Sequence, residues 1–305
     1  MSASSPAPAP DPRADCPDLP AGISGTDPGQ PLHYTPEDVA AARALLDRVR
    51  GGDGPEEAAP VVVLSDEQIS ALDGYARRQF VARPWAERHL DQDPDRQRLA
   101  AAVALRGMLA AGQVLARTGP GGEGPRWRAV PEISGCLVLR RTAESFTTAE
   151  RTVQTGDGPQ VHRLHCFTHP GGVLEEEVTA DGLHRFTVLT PASAAARLAA
   201  FLDPAEVAGA EGDPVRVRSS ALPEHPFAAR LAQTRALTVL TLVRTGDGSV
   251  QQLSAYATAD GVLTMEALDP AAADPPLEIR AVDGASLRAL ATVLVGGGAP
   301  PQPGA

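Results

Sequence analysis

The sequence predicts an α+β fold in which two related αββββα halves form one central antiparallel sheet with flanking helices. Three observations predict it. Thr155-Gly156-Asp157-Gly158 recurs ninety positions later as Thr245-Gly246-Asp247-Gly248. Each copy joins two strand-like runs, and Asp-Gly between such runs is a strong hairpin signal. Each series of alternating strands then ends in an amphipathic helix. Two copies of an antiparallel sheet with flanking helices pair most simply about a pseudo-two-fold axis.

Taken in order, residues 1–34 form a Pro-rich tail; 1–33 alone hold eight prolines and little apolar content. That composition cannot offset its ordering entropy, so disorder is expected there. Thr35 followed by Pro36 starts a helix that runs to Arg50, with Val39, Ala42, Leu45, Leu46 and Val49 on one stripe. Gly51 to Pro60 is a linker, and 35–60 is set apart as an N-terminal helix and linker. The first half is expected over 61–203. It opens with a short apolar run, Val61 to Leu64, that could be a strand. Ser65 then caps a helix, with Gln68 placed for a capping box and Ile69 and Leu72 facing inward. A helix from about Asp95 to Leu109 has Leu99, Val103, Leu105 and Met108 as apolar residues and Gly112 as its stop. Val114 and Leu115 follow as a short strand, Gly119 to Pro125 as a loop, and Pro131 opens a helix to about Arg141 that buries Ile133, Cys136 and Leu137.

After the first Asp-Gly turn, strands are expected at Val161 to Thr168, Val173 to Thr179 and Leu183 to Leu189, and a helix at Pro191 to Leu202. Residues 204–225 read as a linker and 226–296 as the second half. Pro226 opens a helix to about Thr234. Past the second turn come strands at Val250 to Ala257, Val262 to Leu268 and Leu277 to Val282, then a helix at Gly284 to Val295. Residues 297–305 are a second tail.

Composition narrows the function. The chain has 305 residues, 43% apolar, enough for a substantial core. All 27 basic residues are Arg and neither Lys nor Asn occurs. Both need A-rich codons, so this marks a GC-rich bacterial genome rather than a function. A net charge of -11 disfavours nucleic acid and anionic membrane as partners. Met1 to Pro12 lacks an export signal and no apolar run nears 18 residues, so a cytoplasmic protein is expected. Three cysteines without CxxC spacing argue against a disulfide framework or structural zinc.

No catalytic, cofactor or metal residue emerges. His162, His165, Cys166 and His169, with Glu175 to Glu177 and His184 nearby, form the densest chemical cluster. On a strand, however, His162 and Cys166 face one way and His165 and His169 the other, the latter pair about 13 Å apart. Adjacent His165 and Cys166 point apart, which defeats a nucleophile and base pair. No Walker loop, G-x-S-x-G or dinucleotide fingerprint is present. Residues 95–151 hold nine Arg against five acidic residues and support the alternative of a winged-helix-like DNA-binding regulator. The repeated strands offer a different surface. Arg163, His165 and Phe167 in one copy correspond to Gln252, Ser254 and Tyr256 in the other, mixed polar groups around one aromatic each. Either helices cover this face, or it is a partly open sheet that accepts a protein partner.

Several segments together resemble the EspG family, the cytosolic chaperones associated with type VII (ESX) secretion in actinobacteria. They are Leu64-Ser65 leading into a helix, the segment Leu105 to Leu115 and the Pro131 helix that feeds the first sheet. The second copy adds Val243-Arg244-Thr245-Gly246-Asp247-Gly248 with its hairpins and the last helix after Asp283-Gly284. The likeness spans about residues 60–296. It implies two related halves around a central antiparallel sheet, no enzymatic activity and no cofactor. The implied client is a secreted helical protein, PE/PPE-like or WXG100-like. The Pro-rich tail and the helix from Thr35 depart from the family pattern, and no family binding motif transfers residue by residue.

Overall fold

The computed structural model describes residues 34–50, 59–75, 79–90, 93–118, 125–156 and 158–297. The tail at 1–33, most of the 51–60 linker, the loop at 119–124, Asp157 and 298–305 lie outside the described residues. The chain divides into two compact units. One comprises 66–82 and 86–130 of the described chain, and the other 34–65, 83–85 and 131–297.

The larger unit is built on a ten-stranded sheet, antiparallel throughout. Its strands are β1 (Val62–Ser65), β4 (Ser145–Thr155), β5 (Gly158–His169), β6 (Gly172–Val178), β7 (Leu183–Leu189), β8 (Val215–Arg218), β9 (Ala236–Arg244), β10 (Val250–Ala257), β11 (Val262–Ala267) and β12 (Pro276–Val282). They lie in the order β1-β7-β6-β5-β4-β9-β10-β11-β12-β8. Two four-stranded meanders therefore meet at β4 and β9. Each hairpin expected from an Asp-Gly turn is present, β4 to β5 and β9 to β10. Gly158 and Gly248 take positive φ, 109° and 68°, where a side chain would be strained.

One face of the sheet is covered by α6 (Pro191–Leu202) and α8 (Gly284–Val295), which pack on each other. Their caps explain where they start. Thr190 accepts from Ser193 N–H at 3.1 Å and Asp283 from Ser286 N–H at 2.7 Å. Ala149, Leu164 and Cys166 from the first meander join Leu240, Leu242, Ala255 and Ala257 from the second beneath these helices in one core. Thr147 Oγ1 donates to the Leu294 carbonyl at 2.8 Å and Arg244 Nε to that of Gly297 at 2.7 Å, fixing the end of α8 to the sheet.

On the opposite face α5 (Pro131–Thr142) packs over β5 and β6, and α1 (Pro36–Asp47) packs on α5. Thr35 and Asp38 form a capping box at the start of α1, as the Thr35-Pro36 pair suggests. Every residue of α5 from Ile133 to Arg140 is buried, a broader surface than the stripe of Ile133, Cys136 and Leu137. A helix lying between a sheet and another helix buries its whole circumference. Gly135 sets the α1–α5 approach. A Cβ there would meet Leu45 Cδ1 at 2.8 Å and the Ala41 carbonyl at 3.1 Å. Gly135→Val is therefore expected to cost roughly 1–3 kcal/mol by overpacking, read as a lower denaturant midpoint.

The smaller unit holds α2 (Asp66–Asp73), α4 (Pro94–Ala110) and a hairpin of β2 (Val114–Thr118) and β3 (Pro125–Ala129). It also holds most of α3 (Pro84–His89). Ser65 ends β1 and the helix after it begins at Asp66, whose carboxylate accepts the Ala86 N–H at 2.9 Å. The four apolar residues expected on α4 divide. Leu105 and Met108 are buried with Ala101 and Ala102, while Leu99 and Val103 are 58% and 60% exposed. Among the described residues no helix is long and apolar enough to cross a membrane.

Candidate protein-docking face

Strand registry across β4, β9 and β10 lines up four rows on the α5 side of the sheet. The rows are Phe146, Val243 and Val250; Thr148, Thr241 and Gln252; Glu150, Val239 and Ser254; and Thr152, Leu237 and Tyr256. All twelve side chains are half-buried or exposed. Their neighbours pointing the other way, Thr147, Ala149, Thr238, Leu240, Leu242, Ala255 and Ala257, are buried. The middle of the sheet thus has one packed face and one accessible face.

The accessible face alternates apolar with neutral hydrogen-bonding groups. Its one charge, Glu150, lies 3.3 Å from Arg163 Nε. Burial pushes the Tyr256 phenol up, with a hydrogen bond to Ser254 acting the other way. Six apolar side chains among threonine, serine and glutamine match the chemistry of a protein interface, which is no more apolar than that.

The structure separates the six residues proposed for partner contact. Gln252 is exposed and Ser254 and Tyr256 are half-buried, so the second-copy set lies on the accessible face. On β5 Arg163 is half-buried, but His165 and Phe167 are 3% and 2% exposed in the zone where α5 packs and lie outside the accessible face. The asymmetry follows from the helices. α5 packs over β5 and β6, whereas α7 (Pro226–Leu231), the helix that precedes β9, has six residues and buries none of them. The other nine residues of the accessible face, the four on β4, the four on β9 and Val250, escaped the sequence reading. A signal existed in the contrast between the continuous apolar surface of Ile133 to Leu139 and the short Pro226–Leu231 helix.

The histidine and cysteine cluster is divided by the strand as its period requires. Cys166 belongs to the core under α6 and α8. Burial pushes its thiol up, and it pushes that of Cys136 up to about 12. On the other side His169 Nε2 lies 2.8 Å from the Leu139 carbonyl, and His184 Nδ1 2.6 Å from Glu176 Oε1. Glu175 and Glu176 also face apart. Glu175 takes a bidentate bond from Arg197 Nε, 2.9 Å to each oxygen, and Glu176 takes 2.8 Å from Arg140 Nε. A cleft of about 460 Å3 lies beside Glu175, lined also by Arg151, Glu177, Arg197, Phe201 and Asp203. Its polar groups serve the fold. Arg151 donates to the Phe201 carbonyl at 2.8 Å and lies over the Phe201 ring, and Asp203 accepts from the Val207 and Ala208 N–H groups. Residues 95–151, the basis of the DNA-binding alternative, fall partly in each compact unit. The side chains α4 leaves exposed are mixed, apolar Leu99 and Val103 beside Asp95, Arg96 and Arg106.

The sequence matches no protein-family model and no curated protein. Among solved structures, the fold is similar to that of the Mycobacterium tuberculosis type VII secretion system chaperone EspG5, determined in complex with the PE25–PPE41 dimer. The TM-score is 0.45 at 12% identity, over 86% of this chain and 94% of that chain.

Proposed function

We propose that this chain is a non-enzymatic cytoplasmic chaperone or adaptor that holds a helical secretion substrate of a type VII system. Docking would use the accessible face of β4, β9 and β10. The observation behind the reading is the twelve-residue face itself, apolar enough to reward burial and nearly uncharged in a chain of net charge -11. The client class, PE/PPE-like or WXG100-like, follows the EspG resemblance. A helix laid across the four rows would meet Val239 and Thr241 at their centre.

The sheet is also read as a duplication about a pseudo-two-fold axis. The ninety-residue offset and the β4–β9 register are mutually consistent. Ala149 faces Leu240 and Glu150 faces Val239, and in each pair adding ninety to the first number and subtracting it from the second gives the other pair. The edge strands enlarge the unit to βαββββα. β1 adds to β7 and β8 adds to β12, each lying ahead of its half. The compact unit at 66–130 then stands as an insertion between β1 and α5, where the second half has the 3-10 helix Ser219–Glu224.

The test is co-expression with tagged PE/PPE-like and WXG100-like proteins of the same genome, followed by affinity measurement on any complex. A stable complex is expected, weakened more than about tenfold by Val239→Asp with Thr241→Arg. Circular dichroism of the variant should match the parent. No complex with any such substrate, or an unchanged affinity in the folded double variant, would overturn the reading.

A further inference from the structure

We propose that the exposed face of α4 docks against the same face of a second copy of this chain, an association separate from client binding. α4 presents Leu99, Val103, Arg106, Gly107 and Ala110 to solvent. At 100° per residue these five fall on one stripe. Val103, Arg106, Gly107 and Ala110 have the spacing i, i+3, i+4, i+7 that frames the hole of a knobs-into-holes contact. The hole is deep because Gly107 contributes no side chain, and a Cβ built there meets nothing within 4 Å. One turn before the hole stands a knob, Leu99, 58% exposed.

A helix bearing an exposed knob and an exposed hole on one stripe is complementary to itself when reversed. A two-fold axis level with Val103 sets the two helices antiparallel. The Val103 side chains then meet, and Leu99 of each copy enters the hole of the other. Charge agrees with this arrangement. Asp95 and Arg106 are eleven residues apart, within about 20° of each other around the helix, so both flank the same side of the stripe. The two-fold directs Arg106 of one copy toward Asp95 of the other. Arg96, also exposed on this face, is paired with Asp93 at 3.2 Å, so with Asp95 and Arg106 the face carries no net negative charge, and a strongly acidic chain can meet its own copy through it without like-charge repulsion.

One helix pair buries less than the roughly 1,000 Å2 of a stable interface, so the dimer should be weak and concentration-dependent. Sedimentation velocity between about 10 and 500 µM chain is expected to show monomer passing into dimer. Gly107→Leu fills the hole and should hold the chain monomeric over that range. Its thermal stability should equal or exceed the parent's, since glycine is the weaker helix former and the site has room. In a Cys16→Ala background Val103→Cys should cross-link to itself under mild oxidation, whereas Leu115→Cys, 50% exposed on the hairpin, should not. A parent that stays monomeric throughout, a Gly107→Leu variant that dimerises like the parent, or equal cross-linking at both cysteines would overturn the proposal.

Discussion

Glu176→Ala is expected to lower stability by about 3–5 kcal/mol, the range for removing one partner of a buried ion pair. Arg140 Nε and Glu176 Oε2 are 2.8 Å apart with side chains 3% and 0% exposed, and His184 Nδ1 approaches the other oxygen at 2.6 Å. Burial alone would push the Glu176 carboxyl up. The Arg140 guanidinium and the His184 bond outweigh it and hold the group down at about 2. The carboxylate therefore remains charged inside the α5–sheet layer, and deleting it removes a buried ion pair from the Arg140 guanidinium. Since whole domains are stable by only about 5–15 kcal/mol, the variant should unfold at much lower urea or fail to accumulate. Glu176→Gln keeps size and one acceptor and should fall between the two. A midpoint within error of the parent for Glu176→Ala would show that the pair is solvated in solution.

That network also marks a limit of what the sequence could reveal. Three consecutive glutamates, Glu175 to Glu177, are the charge pattern of an edge strand, yet β6 lies between β5 and β7, and Glu175 and Glu176 are 1% and 0% exposed. Alternation correctly sends the two to opposite faces. Their cations, Arg197 and Arg140, come from helices on opposite sides of the sheet, and strand periodicity cannot name them. Asp-Gly turns and helix caps are local chemistry, so β6, β7, β10, β11, β12, α6 and α8 were legible almost to the residue, while β5 starts at Gly158, three residues before Val161. β8 was not, because Val215–Arg218 is only four residues in a polar segment and owes its extension to β12.

The orientation of α4 was hidden for a related reason. An alanine-rich helix offers two apolar stripes, and propensity does not choose between Leu99 with Val103 and Leu105 with Met108. The candidate docking face was half legible. Period two put Gln252, Ser254 and Tyr256 on one side of β10, but whether that side is covered depends on how long a helix precedes each meander. β9, with Leu237, Val239, Thr241 and Val243 on one face and Thr238, Leu240 and Leu242 on the other, is apolar on both. No pattern within such a strand says which side is open.

Acid should destabilise the protein in two successive windows, the first of them through His165. Both ring nitrogens of His165 are buried without a hydrogen-bond partner among the described residues. Burial lowers its imidazolium to about 4. The Glu176 charge opposes this, and Arg140, His184 and Arg163 reinforce it. The folded chain thus carries a neutral imidazole that the unfolded chain protonates near 6.5. The unfolded state binds the extra proton between those values, so stability is complete above about pH 6.5 and falls as pH drops toward 4. A shift of that size corresponds to roughly 3 kcal/mol. The second window is that of Glu176, whose lowered value makes stability fall between about pH 4.5 and 2. Glu175 acts in reverse. Burial raises its carboxyl, so the folded state takes up that proton first and offsets part of the loss. His165→Leu separates the contributions. It removes an imidazole whose nitrogens are unsatisfied, so it should match or exceed the parent at pH 7 by about 1–2 kcal/mol. It should also reduce the slope below pH 6.5, leaving the part that His169 contributes, whose imidazolium burial also lowers, and leaving the lower window intact. Urea denaturation across that pH range reads both effects, and a slope undiminished in His165→Leu would assign the upper window to another group.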